Sequence, residues 1–138
     1  MAGMTDDDSL DRFVRAQADS HAIALAELRA GAKRSHWMWF VFPQLAGLGR
    51  SPTARHYAIR DLDEARRYLA HPLLGPRYRE AVAAVPRDRD PAIVFGSVDA
   101  MKLRSSLTLF AHAGAPAAID AALATLFDGP DAATMALL

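Results

Sequence analysis

Cysteine is absent from this chain, which excludes disulfide bonds, thiolate nucleophiles and metal sites that depend on thiolate ligands. The formal net charge at pH 7 is +0, so no overall positive field draws the protein to nucleic acid or to an anionic membrane. The longest apolar run comprises the six residues from Trp37 to Phe42, whereas a membrane-spanning helix needs about 18 or more. The sequence therefore predicts neither a nucleic-acid partner nor a membrane span.

Recognisable metal and cofactor motifs are also missing. None of the five histidines lies within a metal-binding spacing such as His-Glu-x-x-His. The glycines form neither a Gly-x-x-x-x-Gly-Lys phosphate loop nor a Gly-x-Gly-x-x-Gly dinucleotide motif, and Gly47-x-Gly49 alone is a weak signal. We therefore expect no metal and no bound cofactor.

Length and composition are those of a single folded domain. The chain has 138 residues, of which 51% are hydrophobic and 23% charged, and such a chain can bury one core. The opening residues, Met-Ala-Gly-Met-Thr-Asp-Asp-Asp, contain no basic stretch followed by an apolar one, so we expect that they are not a secretory signal. We expect residues 1–8 to form a flexible tail, residues 9–138 to form one domain, and the protein to be cytoplasmic.

The hydrophobic periodicity is helical along most of the chain. Leu10, Phe13, Val14 and Gln17 follow i, i+3, i+4, i+7 spacing, and a new cap at Asp19 or Ser20 predicts a second short helix. Further along, Asp61 and Glu64 have the spacing of a capping box, with aspartate in place of serine or threonine. The pattern predicts an all-α, single-domain bundle of about seven short helices.

The stretch from Lys33 to Gln44 is the centre of this predicted bundle. It contains both tryptophans and two of the six phenylalanines. An isolated strand would have no partner, and Pro43 moves the preceding residue out of the α region as at a helix end, so we predict that Trp37 to Phe42 is a buried helix. Aromatic walls with a few convergent polar groups are typical of small-ligand sites.

A second notable segment runs from Val98 to Ala113, where Leu103, Leu107 and Phe110 form a core stripe. On another face, Lys102, Ser105 and Ser106 lie at i, i+3 and i+4, which brings an ammonium and two hydroxyls together. Only two of the 16 basic residues are lysine, and both lie in the notable segments. The placement of the two lysines is explained more easily by chance than by a requirement for a compact ammonium group.

Several motifs in this order resemble one known family. They are the stretches 33–45, 47–51, 57–59, 64–65, 68–75 and 99–110. From about Leu10 to Leu138 the chain resembles the bacterial domain-of-unknown-function family 1810. The resemblance implies a single, mainly helical domain and brings no established activity, cofactor or substrate. It also implies that a site lies in these motifs, because they hold more polar residues than a core requires.

These observations lead to one main hypothesis, a small anionic ligand bound between Lys33–Gln44 and Lys102–Ser106. A nucleotide or a phosphorylated metabolite fits this description, and any catalysis would be metal-free acid/base or transfer chemistry. Histidine exchanges protons near neutral pH, so His36 is the candidate catalytic residue. The candidate ligand-binding residues are Lys33, Ser35, Trp37, Gln44, Ser51, Lys102, Ser105 and Ser106.

Each of these residues also has a purely structural interpretation. The serines could be helix caps, which is their commonest role, and His36 could bond to backbone at a helix start. Both tryptophans could belong to the core, and Gln44 could hold the loop after Pro43. A different hypothesis is a protein interaction module in which exposed aromatic residues around Trp37 dock a partner, which requires a contiguous apolar surface of several hundred Å².

Overall fold

The computed structural model of the protein describes residues 2–114 and 117–138, with side chains from residue 9 onward. Helices make up 69% of the chain, and no strand is present within these ranges, so the prediction of an all-α domain is confirmed. An isolated bridge joins Leu45 to Ile59. Nine helices occur in the described residues, compared with the seven or so predicted: α1 (Ala2–Ala30), α2 (Met38–Val41), α3 (Pro52–His56), α4 (Leu62–Ala70), α5 (Leu74–Ala84), α6 (Pro91–Phe95), α7 (Ser97–His112), α8 (Ala117–Leu126) and α9 (Ala132–Leu137).

Helix α1 is one continuous element of 29 residues, so the prediction of two short helices meeting near Asp19 is wrong. The buried stripe continues through that position, from Phe13 and Gln17 to Ala24 and Leu28, and it stabilises an unbroken helix more than a cap at Asp19 could stabilise a break. Helix α1 also includes residues 2–8 of the predicted tail, and Met1 lies outside the described residues. The flexibility of this tail stays a prediction.

The aromatic segment is a short buried helix, as predicted. Helix α2 comprises only four residues, and Trp37 and Phe42 flank it. Both flanking side chains are almost fully buried. Phe95 packs edge-on against each of them, at ring-centroid distances of 6.3 and 6.2 Å, and Tyr78 packs edge-on against Phe42 at 5.8 Å. Such edge-to-face pairs add stability beyond the area they bury.

The corner between α6 and α7 brings the two predicted segments together. Gly96 separates these helices with φ of 84°, a conformation that glycine adopts without the strain a Cβ would bring. The backbone amide of Lys33 donates a 2.8 Å hydrogen bond to the carbonyl of Val94 in α6. This bond places the start of the aromatic segment beside the first turns of α7.

Among the described residues, no helix combines the length and the apolar character needed to cross a bilayer.

Candidate functional site

Asp99 joins the two lysines of the chain. Its Oδ2 lies 2.9 Å from the Nζ of Lys33, and its Oδ1 lies 3.5 Å from the Nζ of Lys102. Each ammonium also faces an indole, since the Nζ of Lys33 is 5.0 Å from the ring centroid of Trp37 and that of Lys102 is 5.1 Å from Trp39. Cations are attracted to aromatic faces at such distances. The Lys33 and Lys102 segments, far apart in sequence, therefore meet on one surface.

Glu27 of α1 orders the loop that carries the candidate residues. Its Oε1 accepts hydrogen bonds from the amides of Arg34 and Ser35 and from the indole Nε1 of Trp37, at 2.7, 2.9 and 3.0 Å, and its Oε2 accepts from the hydroxyl of Ser35. Burial by itself would raise the pKa of Glu27, but the bonds from Ser35, Arg34 and Trp37 outweigh it and lower the pKa from 4.5 to about 2. The carboxylate is thus a fixed, charged anchor.

We expect Glu27→Gln to destabilise the protein by about 1 to 2 kcal/mol at pH 7, because hydrogen bonds to a charged acceptor are replaced by weaker ones. The folded-state pKa lies below the ordinary 4.5, so the stabilisation is complete above about pH 4.5 and is lost as the pH falls toward 2. Thermal melts of both proteins from pH 7 to pH 2.5 should therefore converge at the acidic end. Asp19→Asn, on the exposed face of α1, is the control, and a difference in melting temperature independent of pH would contradict the role of Glu27.

A pocket of about 290 Å³ lies beside Lys102, between α7, the loop after α2 and the start of α9. This volume is close to the lower end of the range for small-molecule sites, about 300 to 1,000 Å³. Three predicted site residues line the pocket, namely Gln44, Lys102 and Ser105. The other lining residues are Leu48, Gly49, Val98, Met101, Asp131 and Ala133.

Three other candidate residues lie next to the pocket and not in its wall. Lys33 is nearly buried, with a side chain 9% exposed, and its Nζ also donates to the backbone carbonyl of Ser35. His36 is exposed, and its ring stacks near that of Trp39 with centroids 6.5 Å apart. The hydroxyl of Ser35 is bonded to Glu27. None of the three lines the pocket; Lys33 is connected to Lys102 through Asp99, and His36 is connected to it through Trp39.

Two of the predicted serines lie elsewhere and have structural roles. The hydroxyl of Ser51 accepts a 3.1 Å hydrogen bond from the amide of Ala54 and so caps α3. Ser106 is fully buried, and its hydroxyl lies 2.9 Å from that of Tyr78 in the core. Neither serine lines the pocket, although Ser106 follows Ser105 directly, because successive helical residues point about 100° apart.

Asp131 is the pocket residue that sequence reasoning missed. It lies in the turn before α9 and accepts a 2.9 Å hydrogen bond from the amide of Thr134, so it is also an N-cap. A turn with glycine, proline and two aspartates predicts a cap, and nothing in that pattern distinguishes a cap that also faces a pocket. Asp99 is the first residue of the stretch 99–110, but its contact with both lysines has no sequence signature.

Metal ligands and other cavities do not compete with this site. No group of three histidine or acidic side chains in the described part of the chain is arranged to hold a metal ion. Three other cavities, of about 540 Å³ beside Arg29 and Arg87, about 290 Å³ beside Asp61 and about 280 Å³ beside Phe127, contain none of the predicted site residues. The pocket at Lys102 is therefore the candidate site.

The fold and this pocket define a small all-α domain with a lysine-bearing surface cleft. The chain belongs to the family described as protein of unknown function (DUF1810), whose sequence profile matches residues 7–138. The predicted family resemblance is thereby confirmed. A crystal structure of a conserved hypothetical protein from Mycobacterium tuberculosis is similar, with 51% sequence identity, a TM-score of 0.90 and coverage of 94% of this chain and 95% of that chain. No curated protein matches the sequence significantly.

Proposed function

We propose that this protein binds a small anionic ligand, a nucleotide or a phosphorylated metabolite, in the cytoplasm, at the pocket beside Lys102. The observation that carries the proposal is that Gln44, Lys102 and Ser105 line one pocket. They come from the two segments named from sequence, which are separated by nearly half of the chain. An ammonium, a hydroxyl and an amide on an otherwise largely apolar wall are the kind of polar set that orients a small ligand.

The charges around Lys102 support an anion as the ligand. Two ammonium groups share the carboxylate of Asp99, which leaves one net positive charge among these three side chains, while the carboxylate of Asp131 also lines the pocket. Lys33 makes the shorter contact, 2.9 Å against 3.5 Å, and has the more buried side chain, 9% exposed against 25%. Lys102 is therefore the ammonium that remains accessible to a phosphate or a carboxylate.

His36 is the candidate residue near Lys102 that could transfer a proton. Its ring is exposed beside Trp39, whose indole also faces the ammonium of Lys102. Trp39 therefore connects the imidazole to the ammonium that would hold the anion. Acid/base chemistry at His36, without a metal, is the catalytic part of the proposal.

The alternative of a protein interaction module built on Trp37 is less well supported. That hypothesis requires exposed aromatic residues, but the side chain of Trp37 is only 1% exposed and its indole nitrogen is bonded to Glu27. A partner could reach this indole only after the core had opened. Burial of Trp37 therefore counts against the interaction module, and Trp37, a predicted ligand-binding residue, does not line the pocket at Lys102 either.

The test is isothermal titration of the protein with inorganic phosphate, ribose 5-phosphate and nucleoside monophosphates. We expect at least one of them to bind, and Lys102→Met to weaken that binding at least tenfold, because a desolvated ammonium–phosphate contact is worth about 1.4 kcal/mol or more. Melting temperature without ligand should change little, since the ion pair with Asp99 is partly exposed.

Arg66→Met is the matched control for Lys102→Met. Arg66 is exposed on α4, so its replacement removes one positive charge without touching the pocket, and affinity should stay as in the wild type. Equal losses of ligand affinity in the two variants would mean that net charge alone causes the effect. Failure of every compound to bind the wild-type protein would contradict the proposal.

A further inference from the structure

Asp131 is held more firmly than a helix cap requires. One of its carboxylate oxygens, Oδ2, accepts from the amide of Thr134 at 2.9 Å and from the hydroxyl of Thr134 at 2.7 Å. The hydroxyl of Ser105 lies 3.3 Å from the same oxygen and shares its proton with the carbonyl of Met101 at 3.1 Å. The backbone amide of Asp131 donates to the hydroxyl of Thr108 at 2.9 Å. The three residues that supply these hydroxyls are all buried, at 5% exposure or less.

Two other aspartates of the chain cap helices and, unlike Asp131, accept no hydrogen bond from a hydroxyl within the described residues. Asp61 caps α4 through one bond from the amide of Glu64, and Asp90 caps α6 through one bond from the amide of Ala92. No hydroxyl braces either carboxylate in the described part of the chain. Buried hydroxyls that fix the direction of a side chain are typical of supporting residues around a binding group.

The second carboxylate oxygen of Asp131 is available to a ligand. Within the residues that the structure describes, no donor contacts Oδ1, and Asp131 lines the same pocket as Lys102. The pocket thus offers an ammonium and a fixed carboxylate together. A bare anion would be attracted by Lys102 but repelled by Asp131, whereas a ligand that also carries an N–H donor satisfies both groups.

The other residues that line the pocket limit the kind of ligand that would fit. Leu48, Val98 and Met101 provide an apolar surface for a ring, and the amide of Gln44 can both donate and accept a hydrogen bond. A nucleobase has a flat apolar face and an edge with donors and acceptors. Building on the function proposed above, we infer that Asp131 is a ligand-binding residue and that the pocket takes a nucleotide whose base carries an amino group, with its phosphate on Lys102.

The experiment compares matched nucleotides on wild-type protein and on Asp131→Asn. Asparagine is as good an N-cap as aspartate, so α9 is retained while the negative charge is removed. By isothermal titration, at least one of the amino-bearing monophosphates of adenosine, guanosine and cytidine should bind wild type about tenfold more tightly than those of inosine and uridine, and more tightly than ribose 5-phosphate. In Asp131→Asn this preference should fall to less than about threefold, with the affinity for ribose 5-phosphate unchanged or improved.

Asp61→Asn is the control, because it makes the same substitution at an N-cap outside this pocket, and it should keep the wild-type preference. Ribose 5-phosphate that binds as tightly as every nucleotide, or a preference that survives in Asp131→Asn, would overturn the role of Asp131 and leave the anion-binding function intact. Absence of binding by all of the compounds would overturn both.

Discussion

Replacing Glu64 by glutamine is expected to lower the free energy of unfolding by about 3 kcal/mol, the low end of the range for breaking a buried ion pair. The Glu64 side chain is 0% exposed, and its Oε1 lies 3.1 Å from a guanidinium nitrogen of Arg12. Arg12 is itself only 16% exposed and also donates to the backbone carbonyl of Ala58. Neutral glutamine would leave this largely buried guanidinium without its counter-charge. Urea denaturation followed by circular dichroism measures the loss.

The control for Glu64→Gln lies one residue earlier on the same helix. Asp63 pairs with Arg67 at 3.2 Å, but its side chain is 76% exposed, so Asp63→Asn should cost about 0.5 kcal/mol or less. Similar losses for the two variants would mean that burial does not set the strength of these pairs. A loss below 1 kcal/mol for Glu64→Gln would show that Arg12 finds enough other acceptors.

Glu64 also illustrates what a sequence pattern can and cannot predict. Spacing from Asp61 identified a capping pair, and Asp61 does accept the amide of Glu64 at 2.9 Å. The side chain of Glu64, however, bonds to the backbone amide of Arg60 and to Arg12, 52 residues away. Local spacing reports the cap because a cap is made within four residues. It carries no information about a partner brought in by the tertiary fold.

The residues of the candidate site show the same difference between local spacing, which the sequence reveals, and tertiary contacts, which it does not. Helical spacing predicted that Lys102 and Ser105 share a face, and both line the pocket, because i and i+3 neighbours are fixed by helix geometry. Ser106, at i+4 from Lys102, is buried against Tyr78. The groups that hold the site, Glu27, Asp99 and Asp131, act through contacts between different elements, so their roles became visible only in three dimensions.

Three carboxylates are arranged around the loop at Lys33 and the pocket at Lys102. Glu27 fixes the loop at Ser35 and Trp37, Asp99 then binds Lys33 at 2.9 Å and Lys102 at 3.5 Å, and Asp131 faces the pocket. These three carboxylates accompany only two ammonium groups, which is more negative charge than a site for a simple anion would be expected to hold. A ligand with both a negative group and a hydrogen-bond donor accounts for this balance better than inorganic phosphate does.

The two tryptophans are expected to respond in opposite ways to substitution by alanine. Trp37 is 1% exposed, lies between Phe42 and Phe95, and donates its indole N–H to Glu27. Trp37→Ala should therefore cost about 3 to 5 kcal/mol, as for other large buried aromatic residues. Trp39 is only partly buried against the core, and Trp39→Ala should cost about 1 kcal/mol.

Ligand affinity should change in the reverse order, because Trp39 faces the ammonium of Lys102 at 5.1 Å. Loss of this ring frees the lysine side chain to move, so phosphate or nucleotide binding should weaken about threefold to tenfold in Trp39→Ala while the fold is kept. Urea denaturation and isothermal titration of the two variants, compared with wild type, measure both effects. If Trp39→Ala proved as destabilising as Trp37→Ala, both indoles would be core residues, and Trp39 would have no part in holding Lys102 at the pocket.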